Sequence, residues 1–199
     1  MRQCVFVIGN PAELAEFAPL LRRAADARLR HSIWYTPPQD ATFDALRGEL
    51  SLSSRFAQHD AASSRWLGAY PRLRALTSYY QCFRYVGGVR LWTGKSPLVV
   101  VQGCGLSTWL AGVMARWGGG QVVHFNAANG KAPPTSMMGS LLCRRIAKKA
   151  RYALCPGNEA TRREQRYPSC IVVDTGDEQR QMPLAVTALL RWTGGQASP

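Results

Sequence analysis

The middle of this sequence has no acidic residue. Between Ala61 and Asn158 neither Asp nor Glu occurs, so no carboxylate serving as general acid, general base or hard-metal ligand can originate there. Histidine is scarce, with three residues (His31, His59, His124), and the six cysteines (Cys4, Cys82, Cys104, Cys143, Cys155, Cys170) form no CxxC pair. Zinc-ligand spacing is therefore absent, and no metal or other cofactor is expected. Long apolar runs are missing too. None approaches the roughly 18 residues of a membrane span, and the opening MRQCVFVIGN is broken by Gly9-Asn10-Pro11 too soon to be a signal peptide. These absences predict a cytoplasmic protein with reduced thiols.

What is present is enough apolar matter for a core, and a large positive charge. The 199 residues are 46% hydrophobic and 10% aromatic, which suits one α/β domain, expected over residues 1–193 with 194–199 as a flexible tail. Lys and Arg number 25 against 12 Asp and Glu, for a net charge of +13. The acid-free stretch holds thirteen of those basic residues and so carries the whole excess. An anionic partner follows naturally from such a field.

Short apolar, β-branched runs at Cys4–Ile8, Ser32–Thr36, Leu98–Val101, Gln121–Phe125, Tyr152–Cys155 and Ile171–Val173 read as strands. Segments with helical apolar spacing separate them, at Ala12–Leu29, Phe43–Leu50, Trp66–Val89, Ser107–Trp117, Ser140–Ala150, Glu159–Arg166 and Gln179–Trp192. Continuous runs such as LVVV require burial on both faces of a sheet. The expected architecture is therefore a three-layer, Rossmann-like α/β domain around a mainly parallel sheet of six strands. The Pro-containing stretches Thr36–Asp40 and Gly130–Thr135 read as long loops at strand ends.

Ligands of such sheets sit beyond the carboxyl ends of the strands, which directs attention to four loops. Gly9 and Asn10 precede a helix whose first free amides could hold an anion, although an ordinary strand-to-helix turn explains them equally. Gly103-Cys104-Gly105 leads to Ser107 and Thr108, with Ser107 placed to cap the next helix and a phosphate or sugar contact as the alternative. Cys104 lies near a helix start, where thiol pKa values fall, but no local partner makes it a nucleophile. His124 ends a strand without a nearby carboxylate to orient it, so it reads as loop support more readily than as a general base. The loop Cys155-Pro156-Gly157-Asn158 opens an arginine-rich helix that suits an anion or simply a solvated basic face.

From Arg65 to Trp92 five arginines, among them Arg72, Arg74 and Arg84, alternate with seven aromatics. Such a helix suits an anionic bilayer, with aromatics at headgroup level and guanidinium groups on phosphates. It suits packing on the sheet as well. Lys148 and Lys149 extend the anion-facing set. No RNA- or DNA-binding motif accompanies these residues, which disfavours nucleic acid.

The order VFVIGNPAELAEFAPLLRR, LVVVQGCGLSTWLAGVMARW, QVVHFNAANGK, YALCPGNEATR, VVDTGD resembles the amino-terminal half of the non-hydrolysing UDP-N-acetylglucosamine 2-epimerases. The resemblance spans nearly the whole chain. It implies one half of a two-domain, GT-B-like fold with the nucleotide-sugar in the cleft between halves, most uridine-diphosphate contacts lying in the half not matched here. The family's first loop, roughly G-T-R-P-E with a following lysine and A-P-L, is kept at Gly9, Glu13 and Ala18-Pro19-Leu20. Asn10 and Pro11 replace Thr-Arg, and Glu16 replaces the lysine. In H-G-D-T-T-T the catalytic aspartate position is Cys104, while Ser107 and Thr108 keep hydroxyls. In H-V-E-A-G-L-R His124 and Ala127 remain, but the catalytic glutamate position is Asn126. The E-E-A-N-R element falls near Met138–Arg144 and keeps at most its arginine, as Arg144. The later S-P-T and T-G-N loops correspond to Cys155-Pro156-Gly157 and Thr175-Gly176-Asp177.

The resemblance thus implies a retained scaffold with lost chemistry. Epimerisation by elimination and re-addition of UDP needs acid and base groups, and neither Cys104 nor Asn126 replaces a carboxylate. The expected function is a single-domain, epimerase-like pseudoenzyme of nucleotide-sugar or surface-polysaccharide metabolism, inactive alone and serving as a binding or partner subunit. The alternative is the acceptor-side subunit of a split, membrane-associated glycosyltransferase. A second protein subunit or a homodimer is the expected partner, with a nucleotide-sugar or glycan ligand and peripheral contact to the inner face of the membrane.

Overall fold

A computed structural model describes residues 2–9, 11–35, 41–50, 54–58, 71–103, 106–125, 137–176 and 178–194. Its strands are β1 (Cys4–Ile8), β2 (His31–Tyr35), β3 (Ser54–Gln58), β4 (Leu98–Gln102), β5 (Gln121–Phe125), β6 (Tyr152–Cys155) and β7 (Ile171–Asp174). They form one sheet in the order β3-β2-β1-β4-β5-β6-β7, and every pairing is parallel. The Rossmann-like α/β reading holds, but the sheet has seven strands where the apolar runs suggested six. The added one is β3, whose sequence SRFAQ has too little apolar pattern to be seen. It is defined by its register on β2, from His31 opposite Ser54 to Tyr35 opposite Gln58.

Alternation along the strands divides the core in two. Cys4, Phe6 and Ile8 of β1 point to one face with Leu98 and Val100 of β4, while Val5, Val7, Val99 and Val101 point to the other. Helices cover both faces, which is why β1 and β4 are apolar at successive positions. The first face is covered by α1 (Pro11–Asp26), α2 (Ala41–Leu50) and α7 (Glu178–Thr193), through Leu14, Phe17, Leu21, Leu46, Val186 and Leu189. Phe17 of α1 packs edge-on to Phe6 at 5.7 Å and stacks on Phe125 at 6.0 Å between ring centroids. The second face is covered by α3 (Pro71–Thr93), α4 (Leu106–Trp117), α5 (Met137–Lys149) and α6 (Gly157–Arg166), through Cys82, Val86, Ala111, Ala115, Ile146 and Ala160.

Several boundaries move. Helix α3 runs from Pro71 to Thr93, and the expected turn before it, from Trp66, lies outside the described residues. So do the Pro-containing loops at 36–40 and 130–135 and the tail from 195. Helix α4 begins at Leu106, so Ser107 sits inside its first turn and not at the cap. Cys82 and Val86 of α3 are buried against the sheet, whereas Tyr80, Arg84 and Arg90 are exposed. The turn Gly118-Gly119-Gly120 lets α4 return to β5 hard against α3. A Cβ on Gly118 would lie 2.9 Å from the Phe83 carbonyl oxygen, so only glycine fits there.

Candidate functional site

Strands β1 and β4 are neighbours whose chain connections leave in opposite directions across the sheet, which makes their carboxyl ends the topological switch point. Gly9 and Gly103 mark the two lips of this crevice. Asn10 and Cys104, like Asn126 at the end of β5, lie outside the described residues, as does the side chain of Ser107. What is described is a polar clamp between α1 and the end of β4. Glu13, in the first turn of α1 and 8% exposed, accepts the Gly9 N–H on Oε2 at 2.6 Å. The Thr108 hydroxyl donates to the Gln102 carbonyl at 2.6 Å and lies 3.5 Å from Glu13 Oε1. One turn along α1, Glu16 accepts a hydrogen bond from the Gln102 side-chain amide.

The Gly9 amide, at the entrance to α1, is therefore taken by the chain's own Glu13. This favours α1, since a carboxylate in the first turn complements the partial positive charge of the helix start. The same device recurs at α6, where Asp174 Oδ1 accepts the N–H of Gly157 at 2.7 Å and that of Gly176 at 2.8 Å. At each of these two loops a carboxylate of the chain thus takes up a backbone amide.

His124 lies beneath the crevice, 2% exposed. Its Nε2 is 2.8 Å from the Gly103 carbonyl oxygen, so Nε2 carries the proton and donates it, leaving Nδ1 as a lone-pair acceptor. Gly103 has φ +79°, a left-handed conformation open to glycine at little steric cost. Burial, helped by the nearby Arg163 charge, pushes the His124 pKa down to about 3. A ring that resists protonation so strongly is a poor base near neutrality. Its described contact ties β5 to Gly103 at the end of β4.

Arg144 is carried by α5 and joins His124 around a pocket of ≈ 180 Å³, with Ala147 and, from the α6 side, Arg162, Arg163, Arg166 and Tyr167. Gly9, Glu13, Gly103 and Thr108 gather instead at the crevice, and the His124–Gly103 bond connects the two places. Lys148 is exposed, while the Lys149 ammonium lies 5.7 Å from the Trp109 ring centroid. Arg84 faces solvent on α3; the side chains of Arg72 and Arg74 lie outside the described set. Among the described residues no group of His, Cys, Asp or Glu is arranged to hold a metal ion, and no helix is long and apolar enough to cross a membrane.

Sequence reasoning gave Gln102 and Arg163 no part, and saw Glu16 only as a replaced lysine. Glu13 and Glu16 stand three apart on a helix and so share a face, the spacing from which Glu16 could have been found. Nothing in the run TRREQR marks Arg163 as the arginine that is buried.

No protein-family model and no curated protein matches the chain. Solved structures do. A UDP-GlcNAc 2-epimerase from Neisseria meningitidis bound to UDP-GlcNAc superposes with a TM-score of 0.60 at 15% identity, over 95% of this chain and 48% of that one. The Methanocaldococcus jannaschii UDP-GlcNAc 2-epimerase in complex with UDP-GlcNAc and UDP gives 0.59 at 16%, over 89% and 47%. A UDP-glucosyltransferase from Polygonum tinctorium gives 0.54 at 12%, over 88% and 52%. At these identities the likeness is one of fold, the Rossmann-like half of epimerases and glycosyltransferases. The chain spans about half the length of the structures it matches.

Proposed function

We propose that this chain is a non-catalytic, epimerase-like subunit of nucleotide-sugar or surface-polysaccharide metabolism, whose cleft is completed by a second copy or another chain. The observation that carries the reading is the internal clamp at the switch point. Glu13 and Glu16 are engaged with Gly9, Thr108 and Gln102, His124 is held neutral under Gly103, and the family-like carboxylate positions are Cys104 and Asn126. Among the described residues the crevice offers hydrogen bonds, and its carboxylates Glu13 and Glu16 are engaged within the chain. The described residues form one side of such a cleft, and small-ligand sites bury about 70–90% of their ligand.

The test is incubation of the purified protein with UDP-N-acetylglucosamine and separation of the gluco and manno forms, alongside light scattering and affinity capture from the native cell. No conversion, together with a dimer or a recovered partner, is expected. Conversion above a boiled control, or a strict monomer binding the nucleotide-sugar tightly by itself, refutes the reading.

A second reading, the acceptor-side subunit of a split glycosyltransferase at a membrane, draws on a different observation. Leu91 and Trp92 at the end of α3 and Trp117 at the end of α4 are 85%, 93% and 70% exposed, among the cations Arg90, Lys95 and Arg116. Both helices end at the amino side of the sheet, so this apolar and basic surface lies opposite the crevice. It takes in Arg90 and Trp92, the end of the Arg65–Trp92 stretch that the sequence singled out.

A further inference from the structure

Arg163 is 5% exposed, and a guanidinium cannot shed its charge when it is buried. Of its donors, Nη1 reaches Cys155 Sγ at 3.4 Å, while Nε and Nη2 have no hydrogen-bond partner. The ion pair of Arg22 with Glu49 lies elsewhere, between α1 and α2. Cys170 is within hydrogen-bonding and charge range of Arg163 but is no counter-ion, because burial pushes its thiol up. Among the described residues no counter-ion accompanies it, and an anion beside a buried cation offsets the cost of its burial.

The pocket between α5 and α6 is where that anion can arrive. Arg163 borders it, and so do Arg144, Arg162 and Arg166, with no carboxylate among the described lining residues. At ≈ 180 Å³ it is smaller than the roughly 300–1,000 Å³ of ordinary small-molecule sites, which fits a compact ion and not a nucleotide. His124 borders it too, and His124 Nδ1 is a second buried atom without a partner. Since Nε2 donates to Gly103, Nδ1 can only accept. The vacant valences therefore call for acceptor oxygens toward Arg163 and one hydroxyl toward His124.

We propose that the α5–α6 pocket binds a small protonated oxyanion, with hydrogen phosphate the ion that meets both demands: its charged oxygens accept from Arg163 and its P–OH donates to His124. Sulfate, which has no hydroxyl near neutral pH, satisfies the arginine but leaves Nδ1 unmet. The site lies behind the crevice, on the flank of β5 and β6, and does not depend on the nucleotide-sugar reading.

Titration of the whole protein with inorganic phosphate, followed calorimetrically and by thermal midpoint, tests this against sulfate and chloride at matched ionic strength. Saturable binding with one phosphate per chain is expected, at least several-fold tighter than sulfate. Arg163→Leu is expected to abolish it while melting no lower in chloride, since it removes an uncompensated charge. Should that variant not fold, the exposed Arg144→Gln and Arg166→Gln changes are expected to weaken phosphate several-fold without altering the midpoint in chloride. Phosphate acting no differently from chloride, or binding undiminished in all these variants, overturns the site. Sulfate binding as tightly as phosphate overturns the hydroxyl contact to His124.

Discussion

Replacing His124 by glutamine isolates the energetic consequence of burying a histidine neutral. In the folded chain its pKa is about 3 against the ordinary 6.5. The unfolded chain therefore takes up a proton as pH falls through 6.5 while the folded chain does not. Stability contributed by this group is fully present above pH 6.5 and is lost as pH drops toward 3. By proton linkage the loss between pH 7 and pH 5 is about 2 kcal/mol. His31, whose pKa burial also lowers, slopes the same way and is common to both proteins. Glutamine keeps an amide able to donate to the Gly103 carbonyl but cannot titrate. Urea unfolding in chloride buffers at pH 7, 6 and 5 is the assay, with the wild type expected to lose about 2 kcal/mol more than His124→Gln across that range. Parallel stability curves for the two proteins would show that His124 is not held neutral by its surroundings, and the assignment of Nδ1 as an acceptor would fall with it.

Glu13→Ala removes the partner of the Gly9 amide and one neighbour of the Thr108 hydroxyl. A lost buried hydrogen bond costs about 1–3 kcal/mol, so the melting midpoint is expected to drop by about 2–12 °C; an unchanged midpoint would mean that α1 is not clamped to β4 through this carboxylate. At the other end of the sheet, the protein is expected to sediment with anionic vesicles better than with neutral ones, and less so as salt screens the attraction over about 8 Å. Trp92→Ala combined with Trp117→Ala is expected to reduce that binding several-fold, and equal, salt-insensitive binding to both vesicle types would dismiss the membrane reading.

The sequence determined the layers of this protein because layer formation is a local matter of apolar periodicity. Cys4–Ile8 and Leu98–Val101 are apolar at every position, and only burial on both faces of a sheet accommodates that. Six strands and the alternation of helices were legible in this way. So was the absence of carboxylates between Ala61 and Asn158, since an absent side chain is absent in any fold. Tertiary structure alone decided the rest. Strand β3 exists through pairing with β2, which carries no apolar signature. Which carboxylate fills which helix start depended on Glu13 facing Gly9 and on Asp174 reaching back to Gly157 from another strand. Among six consecutive residues containing three arginines, burial selected Arg163 because α6 turns that position toward Cys155 and His124. Sequence spacing places residues on a face of their own helix, but what that face meets is set by chain segments far away, and the charge balance of a site is settled only there.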